Sequence, residues 1–240
     1  GAPTVNRYDW PDQEDATWCT PEDHCTCCME HNEYQVLPRT SMGKEFVISH
    51  SPWRTLGTFR EPDHFRVLAV LDGTHVTTTL SSLPSFTLNA NEWMDFKSNR
   101  GFVMESMDNP INVLQLIVVG QQTESGIGDP EMIQVPAVEQ RRDFYVFTTG
   151  EGFTENYAVI SMPDGTFATI DGAVVDEHCD EETDGTLGAT TFRSYYCDIA
   201  DGVHTVDSSG TPVGVYVWGY YGAGSYGYPA GSDLREIFLE

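Results

Sequence analysis

Asp176, Asp180, Glu182 and Asp184 fall inside DEHCDEETDG (176–185), the densest acidic run of the chain. Carboxylate oxygens at that density suit Ca²⁺, so these four are the candidate ligands of the one cofactor the sequence suggests. Their spacing departs from the EF-hand rule, and a solvated loop is the favoured reading. Histidine and cysteine crowd together in HCTCCMEH (24–31). Thiolate metal sites keep regular spacing, and this stretch does not. Ser225 lies in GAGSYGY (222–228), but a nucleophile elbow needs Gly-x-Ser-x-Gly at a strand-to-helix turn. Ala223 stands where the first of those glycines belongs. The stretch GIGD (126–129) leads into no helix and no Gly-Lys-Ser/Thr, so it is no phosphate loop. The histidines are scattered, with no His-Glu-x-x-His; His75 and His204 sit in strand patterns and read as hydrogen-bonded framework. No catalytic residue emerges.

The remaining candidate is GVYVWGYYGAGSYGYPAG (214–231). Trp218, Tyr220, Tyr221, Tyr226 and Tyr228 are amphipathic rings with few rotamers to freeze, set beside a pliable glycine backbone. Such rings stack on sugars and grip proteins, which makes these five the candidate ligand-binding residues. The competing reading is a fold corner: Pro229 and Gly231 fix a turn and the rings cover the end of a sandwich. The corner is favoured over the ligand site, and an active loop comes last.

Charge narrows the partners. Against 37 Asp and Glu stand 12 Lys and Arg, for a formal net charge of −25. That surface repels phosphate backbones and anionic headgroups, so neither nucleic acid nor direct membrane insertion is expected. No run approaches the ~18–20 apolar residues needed to cross a bilayer. The chain opens on GAPT, without Met or a leader pattern, and reads as a mature or excised piece. Six cysteines point to disulfides and an oxidising compartment. Cys179 and Cys197 lie far from the rest and are natural partners. A Cys27–Cys28 bridge would be strained and a Cys25–Cys27 bridge tight, so Cys19–Cys27 with Cys25–Cys28 is preferred.

The elements that must position these residues are strands. From Lys44 onward, short runs rich in Val, Ile, Thr, Tyr and Phe alternate with Asp-Gly, Asn-Pro and Pro-Asp-Gly breaks. PAVEQRRDF (136–144) could supply only a helical turn or two. EFVISHSP followed by HFRVLAVLDGTHVTTTL matches DFYVFTTG followed by NYAVISMPDGTFATI. FTLNANEWMDFKS then matches YYCDIADGVHTVDSS, and NPINVLQLIVVG matches TPVGVYVWGYY. A module of about 90–100 residues therefore occurs twice. The Asp-Gly pairs at 72–73 and 164–165 fit tight hairpin turns. The expected fold is all-β: two tandem β-sandwich-like modules related by an internal repeat, at 41–135 and 136–240. A disulfide-stapled, irregular, acidic extension at 1–40 precedes them.

GKEFVIS, HFRVLAVLDGT, GDPEMIQVPAVEQ, RRDFYVFTT, DGVHTV and SYGYPAG, in that order, resemble the IgGFc-binding protein N-terminal domain family, as a bacterial-type secreted or surface member. The resemblance runs from about Gly43 to Ile237 and leaves residues 1–40 aside. It implies a secreted or cell-surface, non-catalytic module in adhesive or mucus-like assemblies, and it does not imply antibody binding here. The expected partner is an extracellular protein or glycan. The alternative is the chain itself, as a filament or matrix subunit whose residues 1–40 dock on a neighbour's edge strand.

Overall fold

The computed structural model describes residues 4–5, 31–54 and 58–238. Cys19, Cys25, Cys27 and Cys28, most of HCTCCMEH and most of the 1–40 extension lie outside the described residues. At the start of the chain, β1 (Thr4–Val5) pairs antiparallel with β2 (His31–Asn32).

The first sandwich uses β3 (Glu45–Ile48), β4 (Asp63–Ala69), β5 (Thr74–Thr78), β6 (Ser85–Leu88), β7 (Trp93–Ser98), β8 (Phe102–Ser106), β9 (Ile111–Leu116) and β10 (Met132–Gln134). They form sheets in the orders β3-β8-β5-β6 and β10-β9-β4-β7. The second uses β11 (Phe144–Thr148), β12 (Glu155–Pro163), β13 (Thr169–Ile170), β14 (Ala173–Val174), β15 (Asp180–Leu187), β16 (Thr190–Asp198), β17 (Val203–Asp207), β18 (Gly214–Tyr221) and β19 (Gly224–Pro229). Its sheets run β11-β17-β13-β14 and β15-β16-β12-β18-β19. Placed side by side, the orders coincide strand for strand, with β15 added at one edge of the second sandwich. The chain is all-β and its repeat is real.

The strand order corrects one match made from sequence. β7 takes the place of β16, and β8 that of β17, so WMDFKS corresponds to the strand ending in YYCD and not to VHTVDSS. Alternating segments of similar length look alike in isolation, and only the pairing distinguishes them. The Asp-Gly turns also differ from expectation. Gly73 and Gly165 have φ of 68° and 79°, as an Asp-Gly turn requires. Yet each turn joins strands of opposite sheets, β4 to β5 and β12 to β13, so it arches over the sandwich instead of closing a hairpin. The stretch at 136–144 yields one 3₁₀ turn, Val138–Gln140, before β11 begins. A four-residue helix, α1 (Val175–His178), leads into β15. It ends at Cys179, whose bridge to Cys197 spans 4.5 Å between Cα atoms, as the sequence suggested.

The two sandwiches share a core. Ala158, Ile160, Met162, Val215 and Val217 of the five-stranded sheet face Tyr145, Phe147, Ile170 and Val206. On its other side Val159, Tyr216, Trp218 and Tyr220 pack with Phe65, Phe102, Ile117 and Ile133 of the first sandwich. That is why GVYVWGYY is nearly all bulky residues: β18 is buried on both faces, so alternation with polar residues disappears.

A second junction forms where the β15–β16 hairpin lies across the outer side of β3 and β8. Phe192 and Leu187 pack on Val47 and Val103. Arg141, at the end of the 3₁₀ turn, donates to Val47 O at 3.1 Å, to Ser161 O at 3.2 Å and to Ser161 Oγ at 3.1 Å. Its guanidinium lies 5.4 Å from the centre of the Phe192 ring. Ser194 Oγ, 2.6 Å from Ser49 Oγ, donates to Asp184 Oδ2 at 2.5 Å. Burial, the largest influence, lifts the Asp184 carboxyl to about 7, against the Ser194 hydrogen bond and the Arg141 charge that lower it.

Candidate binding surface

The groupings that could do chemistry are closed by their own neighbours. Ser51, His50 and Asp63 supply the residue types of a hydrolase triad, but Ser51 Oγ donates to Asp63 Oδ1 at 2.7 Å and not to His50. The His50 ring nitrogens lie 2.5 Å from Ser51 O and 2.9 Å from Glu61 O, so neither is left for a substrate. All three side chains are buried. His204 is held in the same way, with Nδ1 at 2.6 Å from Asp171 Oδ2 and Nε2 at 2.8 Å from Ala200 O. Burial lowers His64 to about 4, which keeps it neutral. Ser225 Oγ accepts from Asp129 N at 2.8 Å and pins the GIGD loop to the β18–β19 hairpin, as does Gly128 N donating to Gly222 O at 3.0 Å.

The acidic run does not gather. Asp176 lies on α1, Asp180 and Glu182 lie along β15, and Asp184 is buried in the junction with the first sandwich. Among the described residues, no group of three or more His, Cys, Asp or Glu side chains is placed to hold a metal ion. The four carboxylates weighed as Ca²⁺ ligands, with a solvated loop as the favoured reading, therefore stand apart from one another. Alternate residues of a strand share a face but stand roughly 7 Å apart, and a register shift between Thr183 and Gly185 sets Asp184 apart from the other two.

The tyrosine-glycine tract resolves into cross-strand pairs. Trp218 stands opposite Gly227, and Gly219 opposite Tyr226. A Cβ on Gly227 would stand 2.4 Å from the Trp218 ring, and one on Gly219 would stand 2.0 Å from that of Tyr226. Each glycine is the space its partner ring fills, so the tract builds a hairpin. Trp218 and Tyr220, expected among the ligand-binding residues, are 1% and 0% exposed and have no surface to offer. Tyr226 donates to Asn156 Oδ1 at 2.7 Å, and the Tyr228 hydroxyl donates to Thr148 O. Burial lifts both phenols above their ordinary range, so they remain donors. Their ring edges stay half-exposed. With Phe153 and the exposed Tyr221 they form a ridge: Phe153 lies 4.7 Å from Tyr226 and 5.3 Å from Tyr221, edge to face.

The ridge runs into a surface that sequence reasoning missed. Along β11, Tyr145 and Phe147 point into the core, so Phe144, Val146 and Thr148 point out. Val203 and Thr205 of β17 stand opposite Thr148 and Val146 on the same side. Phe144, Val146 and Val203 are 48%, 56% and 72% exposed. The backbone of β11 is also open along this stretch. Thr149 N donates to Gly202 O and Ser208 N donates to Asp143 O, which assigns the odd-numbered residues of β11 to β17. The even-numbered ones therefore face away from the sheet. Arg142 O accepts from Val213 N, and Thr148 is held by Tyr228, which leaves Phe144 and Val146 as a short open edge. Next to Phe144 opens a shallow hollow of about 430 Å³, lined among others by Arg142, Arg235 and Asp233. The signal available in sequence was FYVFT itself, apolar at consecutive positions where a one-sided strand would alternate.

A family model described as IgGFc binding protein matches residues 15–219. The chain belongs to that family. The match starts inside the cysteine-rich segment and stops at Gly219. Part of the extension is thus included, while SYGYPAG, one of the stretches that carried the resemblance, lies beyond. No curated protein matches this IgGFc-binding family member, and no solved structure does. The family is extracellular, its domains are binding domains, and it is not known as enzymatic. Among the described residues no helix is long and apolar enough to cross a membrane.

Proposed function

We propose that this chain is a non-catalytic adhesion module of a secreted or cell-surface protein, with modules at 41–135 and 136–240. It holds an extracellular protein on the continuous surface formed by the Tyr221–Tyr226–Tyr228 ridge and the outer face of β11 and β17. One observation carries the reading: three large apolar side chains, Phe144, Val146 and Val203, stand exposed on one face of the β11–β17 pair in a chain with net charge −25. An exposed apolar patch rimmed by polar residues marks an interaction site. The test is surface plasmon resonance against purified extracellular-matrix and mucus proteins, before and after deglycosylation. The reading predicts saturable binding that survives deglycosylation and is lost in the Val146→Lys/Val203→Lys double variant. Binding that follows the glycan and is lost in Tyr221→Ala/Tyr226→Ala would move the site to the ridge and the ligand to sugar.

The open edge at Phe144 and Val146 favours a second reading, a filament subunit whose edge accepts an extended segment of a neighbour. Light scattering would then show growth in mass with concentration, abolished on deleting residues 1–40. A constant monomer mass removes this reading.

A further inference from the structure

The repeat makes the two sandwiches directly comparable. Val47 stands opposite Val103, and Val146 opposite Thr205, at matching places in the two sheets. One step along, Gly101 matches Val203. On the first sandwich this face is occupied. Leu187 and Phe192 of the β15–β16 hairpin lie on Val47 and Val103, and a Cβ on Gly185 would stand 3.2 Å from Val103 Cγ2. Val47 and Val103 are consequently 0% and 4% exposed. Away from the hairpin the same sheet shows water polar groups, among them Glu45, Glu105, His75 and Thr87. On the second sandwich the equivalent positions are uncovered, yet Val146 and Val203 flank Thr205, and Phe144 stands where the first sandwich has Glu45.

From this contrast, and resting on the reading that the face binds protein, we infer that the β11–β17 face is the seat for a β-hairpin of the β15–β16 kind, presented by another module of this family. The occupant would carry a bulky apolar pair near its tip, in the places of Leu187 and Phe192. The covered face also fixes a direction: Glu182 of β15 accepts from Trp53 beyond the end of β3, so the arms of a seated hairpin run past Thr148 and Val203, and its tip points towards the hollow lined by Arg142, Asp143, Asp233 and Arg235. The occupant also differs from β15 at one point. Asp184 lies so close over Gly101 that a Cβ there would stand 2.0 Å from its Oδ1. Val203 fills the matching place, so a small or apolar residue must replace the aspartate. A second copy of this chain has no spare hairpin, because its Leu187 and Phe192 are engaged on its own first sandwich. The first sandwich itself has no counterpart of β15, since β6 reaches β7 through residues 89–92 alone.

The experiment uses the intact chain with benzoylphenylalanine at position 144. The probe is a synthetic hairpin of residues 181–195 with Asp184→Ala, closed by a disulfide between added terminal cysteines. Its fold is checked first by cross-strand NMR contacts between positions 182 and 194. The inference predicts photo-cross-linking that saturates with probe. It should fall about tenfold or more in the Val146→Lys/Val203→Lys chain, or when the probe carries Leu187→Ala and Phe192→Ala. Equal cross-linking of a scrambled cyclic peptide, or none by the folded hairpin, overturns it. If the hairpin fails while the double variant still loses binding to extracellular proteins, the face binds protein but not this partner. If the double variant changes neither, the functional reading falls as well.

Discussion

The outer faces of β3–β8 and β11–β17 occupy the same place in two copies of one topology, and they meet opposite fates. Val47 and Val103 are sealed beneath Phe192 and Leu187, while Val146 and Val203 stand in solvent. Nothing in the strands themselves decides this. EFVI and FYVFT both place apolar residues on both sides, and the difference comes from a hairpin that begins at Asp180, far downstream of EFVI. An apolar residue on the outward side of an edge strand is thus a statement that something covers it. Among the described residues the cover is present on one sandwich and absent from the other.

The comparison breaks most sharply by placing the same charge at both positions. Val47→Lys buries an unpaired ammonium and should cost on the order of 4 kcal/mol or more, seen as a large drop in the urea midpoint. Val146→Lys, on the open face, should stay within about 0.5 kcal/mol. Next, Phe192→Ala strips the cover from the first face and should cost about 3–5 kcal/mol, with faster hydrogen exchange along β8.

The junction also carries a pH dependence. Asp184 binds its proton at about 7 in the folded chain and at its ordinary 3.8 when unfolded. The folded state therefore holds the extra proton between those values. Stability present at low pH is lost as pH rises from about 4 through about 7, by roughly 3–4 kcal/mol. Asp184→Asn should flatten that slope in thermal melts and leave the open face untouched. The smallest loss of stability predicted away from the open face belongs to the ridge. Tyr226→Phe removes the hydrogen bond to Asn156 and should cost about 1 kcal/mol in the same melts.

Much of the fold was legible in sequence because period-2 patterning, Asp-Gly turns and the lone distant cysteine pair are local signals. The all-β class, the repeat and the Cys179–Cys197 bridge came from these. What was hidden depends on pairing across distance. The match of FTLNANEWMDFKS slipped by one strand because the inserted β15 leaves no mark on pattern alone. Trp218 and Tyr220 looked like a grip because bulk at every position of β18 reads the same whether a sheet is buried twice or a loop is exposed. The carboxylates of β15 are dense in sequence, but an extended strand spreads them and a register shift at Asp184 buries that one apart. Phe144, Val146 and Val203 were not singled out, since no local feature tells an uncovered apolar side chain from a covered one.

Photoactivated carbene footprinting, read residue by residue by mass spectrometry, tests the central contrast most directly. The native chain and its Phe192→Ala variant would be labelled side by side. In the native chain Phe144, Val146 and Val203 should label strongly and Val47 and Val103 hardly at all. In the variant Val47 and Val103 should become labelled, while the second face stays as it was. Protection of Phe144 and Val146 in the native chain, or labelling of Val47 and Val103 that is already high, would contradict the account.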